Sequence, residues 1–201
     1  MIFERGNGRG ALSALRFAIG FVLFQGAWCA CVLGAASGQA AQVALGVAAV
    51  AAVVALLVAF STDRAAELRL IALALLVGIG WDSLLAQTGV VQYASPGPLP
   101  GWAPLWILAL WALFAPMLRE PLQWLHGRPL LAALVGGIGG ALSYAAAARL
   151  GACAFPRPLL ALGALAVGWA LIVPLLLAAA QRLQHGSQSR SARRVAEAVR
   201  P

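Results

Sequence analysis

AAQVALGVAAVAAVVALLVAF, residues 40–60, decides the fold. It is 21 residues long and carries no charged side chain. A helix rises 1.5 Å per residue, so such a segment spans about 30 Å, the thickness of a bilayer's hydrocarbon core. Its apolar residues cover the whole circumference, with no polar stripe to face water. Alternation with a period of two is absent, which excludes a transmembrane β-barrel.

Working outward from this segment, five more stretches qualify as spans: 12–33, 68–87, 102–118, 129–148 and 158–180. The connections between them are too short for a soluble domain. The expected fold is therefore all-α: a polytopic integral membrane protein built as a six-helix transmembrane bundle, one domain over 1–180. Residues 181–201 form a basic, Ser/Gln-rich tail, expected to be cytoplasmic and disordered.

Composition agrees. Of 201 residues, 62% are hydrophobic and 10% charged, against about 45–50% and about 25% in soluble domains. A soluble globule and a disordered chain are both excluded. All 14 basic residues are Arg. Arg5, Arg9, Arg16, Arg64, Arg69, Arg119, Arg128, Arg182, Arg190, Arg193, Arg194 and Arg200 fall on one side of the expected topology; only Arg149 and Arg157 fall on the other. Positive charge stays cytoplasmic. The split places both termini in the cytoplasm. The net charge of +8 is thus a topology signal, and no nucleic-acid module accompanies it. Membrane lipids are the expected partners, the tail resting loosely on anionic headgroups. The first span has the flanks of a secretory leader, but its apolar run is long and contains Gln25 and Trp28, so it reads as a retained helix.

The connections carry distinct signals. Ser61, Thr62 and Asp63 suit the cap of the third helix, with Glu67 near its positive end. Pro96, Pro98 and Pro100 make 88–101 an extended cap over the outer surface, flanked at belt depth by Tyr93 and Trp102. In REPLQWLHGRP (119–129), Leu122, Trp124 and Leu125 suggest either a short interfacial helix or an ordinary belt loop. Gly136 and Gly140 form a small-residue pair whose expected use is helix packing inside the bundle, or else a homodimer contact. Pro174 should kink the sixth helix.

Several chemistries are missing. The spans contain no His, so intramembrane haem ligation and a HExxH zinc site are excluded. No nucleotide-binding motif occurs. No cofactor and no metal is expected. Cys29 and Cys31 sit about 200° apart on a helix and cannot share a metal; they read as small apolar side chains. Cys31 and Cys153 both approach the outer side, where a disulfide is allowed.

Asp82 is the sharpest feature, the one acidic residue inside a span. It lies about 7 Å below the outer end of the third helix. A charge in the membrane is costly, and such residues are paired or functional. Arg149, at the outer end of the fifth helix, is the expected ion-pair partner. Ser143 and Tyr144 lie one to two turns deeper on that helix. Gln25 and Trp28 share a face of the first helix, and Trp81 adjoins Asp82. Three readings stand open for this outer cluster: a structural network, a ligand site, or a catalytic site.

The pieces FVLFQGAWCACVLGAA (21–36), WDSLLAQTG (81–89), APLWILALWALFA (103–115) and GGIGGALSYAAAARLGA (136–152) resemble an uncharacterised bacterial inner-membrane family, the domain-of-unknown-function family 2878. The resemblance covers nearly the whole bundle. It implies Gln25, Trp28, Asp82, Ser83, Tyr144 and Arg149 as family-pattern positions. Gly20 stands where the family pattern has a polar Asn, and Ala141 where it has Pro. No settled activity comes with the resemblance; the family's association with fatty-acid-modifying enzymes tilts the ligand towards lipid. The expected function is a non-enzymatic envelope protein with a polar site towards the outer leaflet. The alternatives are a small proton-coupled transporter using Asp82 and a lipid-modifying enzyme using Asp82 and Arg149.

Overall fold

A computed structural model describes residues 7–119 and 121–198, with side chains described over 18–119 and 121–184. Arg5 and Arg200 lie outside the described residues, as do the side chains of Arg9, Arg16, Arg190, Arg193 and Arg194. The helices are α1 (Asn7–Ala36), α2 (Ala40–Phe60), α3 (Arg64–Gln87), α4 (Leu105–Phe114), α5 (Pro129–Arg149) and α6 (Pro158–Ala198). A 3₁₀ turn, Ala115–Leu118, prolongs α4, and another covers Gln123–Leu125. The expected tail enters α6 as its continuation to Ala198, with Pro174 inside the helix.

Five of these helices are long and apolar enough to cross a membrane. Leucines such as Leu45, Leu76, Leu130 and Leu159 stand exposed on their outer faces. In water that much exposed apolar surface would drive association; lipid accepts it. The fourth expected span, 102–118, is realised as a shorter apolar segment, Leu105–Leu118. Pro104 sets its start in extended geometry, and Pro116 sits in the 3₁₀ turn that ends it.

Helices α1 and α2 form an antiparallel hairpin, α5 and α6 a second, and α4 packs among α1, α2 and α3. A Cβ on Gly136 or Gly137 would lie within 3 Å of α6 backbone carbonyls. The small residues of α5 therefore serve packing within the chain.

Two contacts define the ends of the molecule. At one end, strands β1 (Gln92–Tyr93) and β2 (Cys153–Ala154) pair antiparallel, with Tyr93 opposite Cys153. This clip joins the loop after α3 to the loop after α5. The same loop is tied to α1 by the Ser95 hydroxyl, which donates to the Ala35 carbonyl at 2.8 Å. At the other end, Arg119 Nη1 meets Glu67 Oε2 at 2.6 Å and donates to Ser61 Oγ at 3.1 Å. Asp63 caps α3 there, as its sequence suggests, accepting from the Ala66 amide at 3.0 Å. The ion pair is nearly buried, with side chains 13% and 6% exposed. It joins the start of α3 to the end of the fourth segment.

Candidate functional site

Asp82 lies at the clip end of α3 and is fully buried. Its carboxylate accepts three hydrogen bonds, each from a different element. The Tyr93 hydroxyl on β1 donates to Oδ1 at 2.5 Å. The Trp111 indole on α4 donates to Oδ2 at 2.6 Å. The Tyr144 hydroxyl on α5 donates to Oδ1. Each of these donors stabilises the ionised form of the carboxyl, by about 1.5–3 kcal/mol for a hydrogen bond to a charged group, against the cost of burial. Burial, and then the charge of Asp82 beside it, hold the Tyr93 hydroxyl above its ordinary range. It stays a neutral donor. Burial and Asp82 likewise push the Cys153 thiol up to about 12.

The expected ion pair with Arg149 does not form. Arg149 is exposed at the end of α5, and among the described residues the ion pair is Arg119–Glu67. The physical reason is geometric. Tyr144, more than a turn deeper on the same helix, already reaches the carboxylate, while the long Arg side chain at a helix terminus runs to the surface.

In front of the three donors lies a partly open cleft with a cavity volume of about 80 Å³. Tyr93, Trp111 and Tyr144 form its wall on the Asp82 side. Phe24 and Trp28 of α1 and Ser143 of α5 form its flanks. Phe114 and Trp169 close its deep end. Trp169 lies eleven residues into α6, about 16 Å from the clip end at 1.5 Å per residue. Trp111 and Trp169 stack with centroids 4.9 Å apart at 8°. The Trp169 Nε1–H is buried without a hydrogen-bond partner. The cleft is lined from both α1 and α5, which share no extended interface among the described residues.

Three tryptophans rest on helical glycines. Trp111 lies against Gly78, Trp169 against Gly140 and Trp81 against Gly168; a Cβ at any of these glycines would overlap the ring. The aromatic wall thus depends on missing side chains on the facing helix.

The expected cluster therefore divides. Asp82 and Tyr144 meet, and Trp28 and Ser143 line the cleft beside them. Ser83 is buried on α3, and its hydroxyl accepts from the Ala103 amide at 3.0 Å, which fixes the entry to α4. Trp81 packs on α6 rather than in the cleft. Gln25 is exposed on α1 and does not join Asp82. Tyr93 is buried, not a belt residue, whereas Trp102 is 53% exposed. Trp111 and Trp169 were hidden by context, since a Trp in an apolar run carries no mark of what its indole nitrogen meets. The cysteines are free; Cys31 donates to the Trp106 carbonyl at 3.4 Å, and Cys153 points at the Tyr144 carbonyl at 3.8 Å. Cys29 is exposed and Cys31 buried, as their helical spacing requires.

Fold and site together define a multi-pass helical membrane protein with a buried carboxylate held by aromatic donors. The chain belongs to the family described as "Protein of unknown function (DUF2878)", whose model matches residues 17–175. No curated protein and no solved structure matches it.

Proposed function

We propose that this is a non-enzymatic protein of the bacterial inner membrane that takes a lipid or lipid-like molecule into the cleft between α1 and α5. The carrying observation is the cleft itself: aromatic, lined by two helices, α1 and α5, that share no extended interface among the described residues, and bounded by the three donors that hold Asp82. Pockets for small molecules combine apolar walls with a few placed polar groups. Here these are the Tyr hydroxyls, Ser143 and the unpartnered Trp169 N–H, which offers a donor to a ligand oxygen.

The reading includes six crossings with both termini cytoplasmic, so the clip end faces the outer leaflet. Support comes from the two end contacts: Ser83 with Ala103 at the clip end and Glu67 with Arg119 at the other lay the short fourth segment along the whole of α3. Its partners are membrane lipids and a second copy of the chain or another membrane protein; nucleic acid has no part.

A transporter using Asp82 as a protonatable site is the second reading, favoured by the absence of a cationic side chain on that carboxylate among the described residues. The enzyme alternative needs Arg149 beside Asp82, and Arg149 is exposed. The test is photolabelling in native membranes with a diazirine fatty acid, followed by peptide mapping. Labels should concentrate on Phe24, Trp28 and Ser143. A label spread evenly over lipid-facing Leu45, Leu130 and Leu159 would sink the reading.

A further inference from the structure

The geometry points to a ligand that carries a positive charge, an organic ammonium group seated against the aromatic wall in front of Asp82. This rests on the cleft reading above and narrows it to a substrate class.

Three independent observations converge. First, Asp82 has a carboxylate with 0% exposure and no cationic partner among the described residues. The nearest charged residue along its own helix is Arg69, thirteen residues away, which is about 20 Å at 1.5 Å per residue; Glu67, beyond it, is already neutralised by Arg119. Its three contacts all donate a neutral hydrogen bond. The three neutral donors and an entering ammonium group both stabilise the ionised form of this carboxyl, and a low-dielectric surrounding lets that charge act over a longer range.

Second, the groups that hold the carboxylate are themselves the cleft wall. The negative site is one aromatic layer away from whatever enters. A phenol or indole that donates to an anion gains electron density on its ring, which strengthens the negative face it presents. An anion or a carboxylate-bearing ligand would meet repulsion there.

Third, the rest of the cleft continues the same chemistry. Trp28 and Trp106 add aromatic faces, and Phe114 and Trp169 extend them inwards. Walls of aromatic rings around a small space are the arrangement that recognises quaternary and other alkylated ammonium groups through the ring quadrupole. The volume, about 80 Å³, exceeds what one or two waters occupy, since a water needs roughly 10–15 Å³. It suits a compact head such as trimethylammonium, with any apolar chain leaving between α1 and α5.

The ammonium could sit on a membrane lipid or on a free solute, and the experiment separates the two. The full chain is purified in dodecyl maltoside, whose head is uncharged. Three probes are titrated while intrinsic tryptophan fluorescence is read, with empty micelles subtracted: hexadecyltrimethylammonium, hexadecanol and tetramethylammonium. The tailed cation should bind at least about tenfold more tightly than the alcohol, a difference the electrostatics of one charge readily supplies. Binding of tetramethylammonium with similar affinity identifies a free cation as the ligand; binding of the tailed cation alone identifies a lipid. Asp82→Asn, its fold checked by thermal melting, should bring cation and alcohol within about threefold of each other. If that variant does not fold, the wild-type ratio still decides. Equal binding of cation and alcohol overturns the ammonium inference and leaves the cleft reading standing. Failure of every probe to bind removes both.

Discussion

Each oxygen of Asp82 is committed. Oδ1 takes two tyrosine hydroxyls and Oδ2 one indole N–H. Tyr144→Phe removes one donor and leaves the carboxylate with two, which should lower unfolding stability by about 1.5–3 kcal/mol, measured by thermal or denaturant unfolding in detergent. Asp82→Asn is not a neutral change. If its oxygen serves the tyrosines, its NH₂ confronts the Trp111 N–H, two donors face to face. The cost of Asp82→Asn should therefore shrink in a Trp111→Phe background, a coupling that a double-mutant cycle reads directly. Additive costs would mean the two residues do not interact. Cys153 reports on the same wall. Its thiol is raised from 9.0 to about 12 by burial and Asp82, so its contribution to stability is complete below pH 9 and is lost as pH rises towards 12. At pH 9 its alkylation in the folded protein should be about two to three orders of magnitude slower than in denaturant, followed by mass spectrometry; equal rates would show an open wall. Asp82 and Tyr144 were legible in the sequence because an acid inside a span has to be explained. Tyr93 and Trp111 were not. One lies in a proline-rich loop that reads as a cap, the other in a run where every residue is apolar.

At the scale of helices, what matters is which residues leave room. Gly140 accommodates the ring of Trp169, whereas Gly139, one residue away, has open space around it. Gly140→Ala should cost about 1–3 kcal/mol through overpacking. Gly139→Ala should be neutral or slightly stabilising. Similar losses from both, measured by unfolding in detergent, would mean α5 does not lean on Trp169. Since Gly136, Gly137 and Gly140 all face α6, Gly140→Ala should also leave any oligomeric state unchanged. The Arg119–Glu67 pair is the second junction between elements. Arg119→Ala strands a nearly buried carboxylate and should cost about 3–5 kcal/mol. Adding Glu67→Gln should recover part of that; no recovery would assign the loss to the Arg119 contacts with Ser61 and the Asp63 carbonyl. Apolar length in the sequence located the five long helices, because lipid requires apolar residues of a given length. In the sequence, Glu67 had only a role at the helix start and Arg119 only a topological one. Their meeting depends on how α3 and α4 pack, which no single helix encodes.

For the whole molecule, topology is the property to test. Leu99 lies 61% exposed in the clip-end loop, and Trp124 is 52% exposed in the loop at the other end. Leu99→Cys should react with a membrane-impermeant maleimide in intact spheroplasts, and Trp124→Cys only after lysis. Cys31 and Cys153 are buried, and the exposed Cys29 is replaced by Ser in both variants. The reverse pattern would invert the orientation and put the cleft in the inner leaflet.

The short fourth segment has a consequence for biogenesis. Leu105–Leu118 is too brief to be held by lipid alone, yet Trp106, Trp111, Leu113 and Leu118 are among the most enclosed side chains in the protein. Its neighbours, rather than the bilayer, keep it in place. On the proposed six-crossing topology, membrane integration of this segment is a folding step and not a partitioning step at the translocon. A nascent chain that stops after residue 119 already contains α1, α2 and α3 and should hold the segment. The same fourteen residues fused behind an unrelated span should slip back into water.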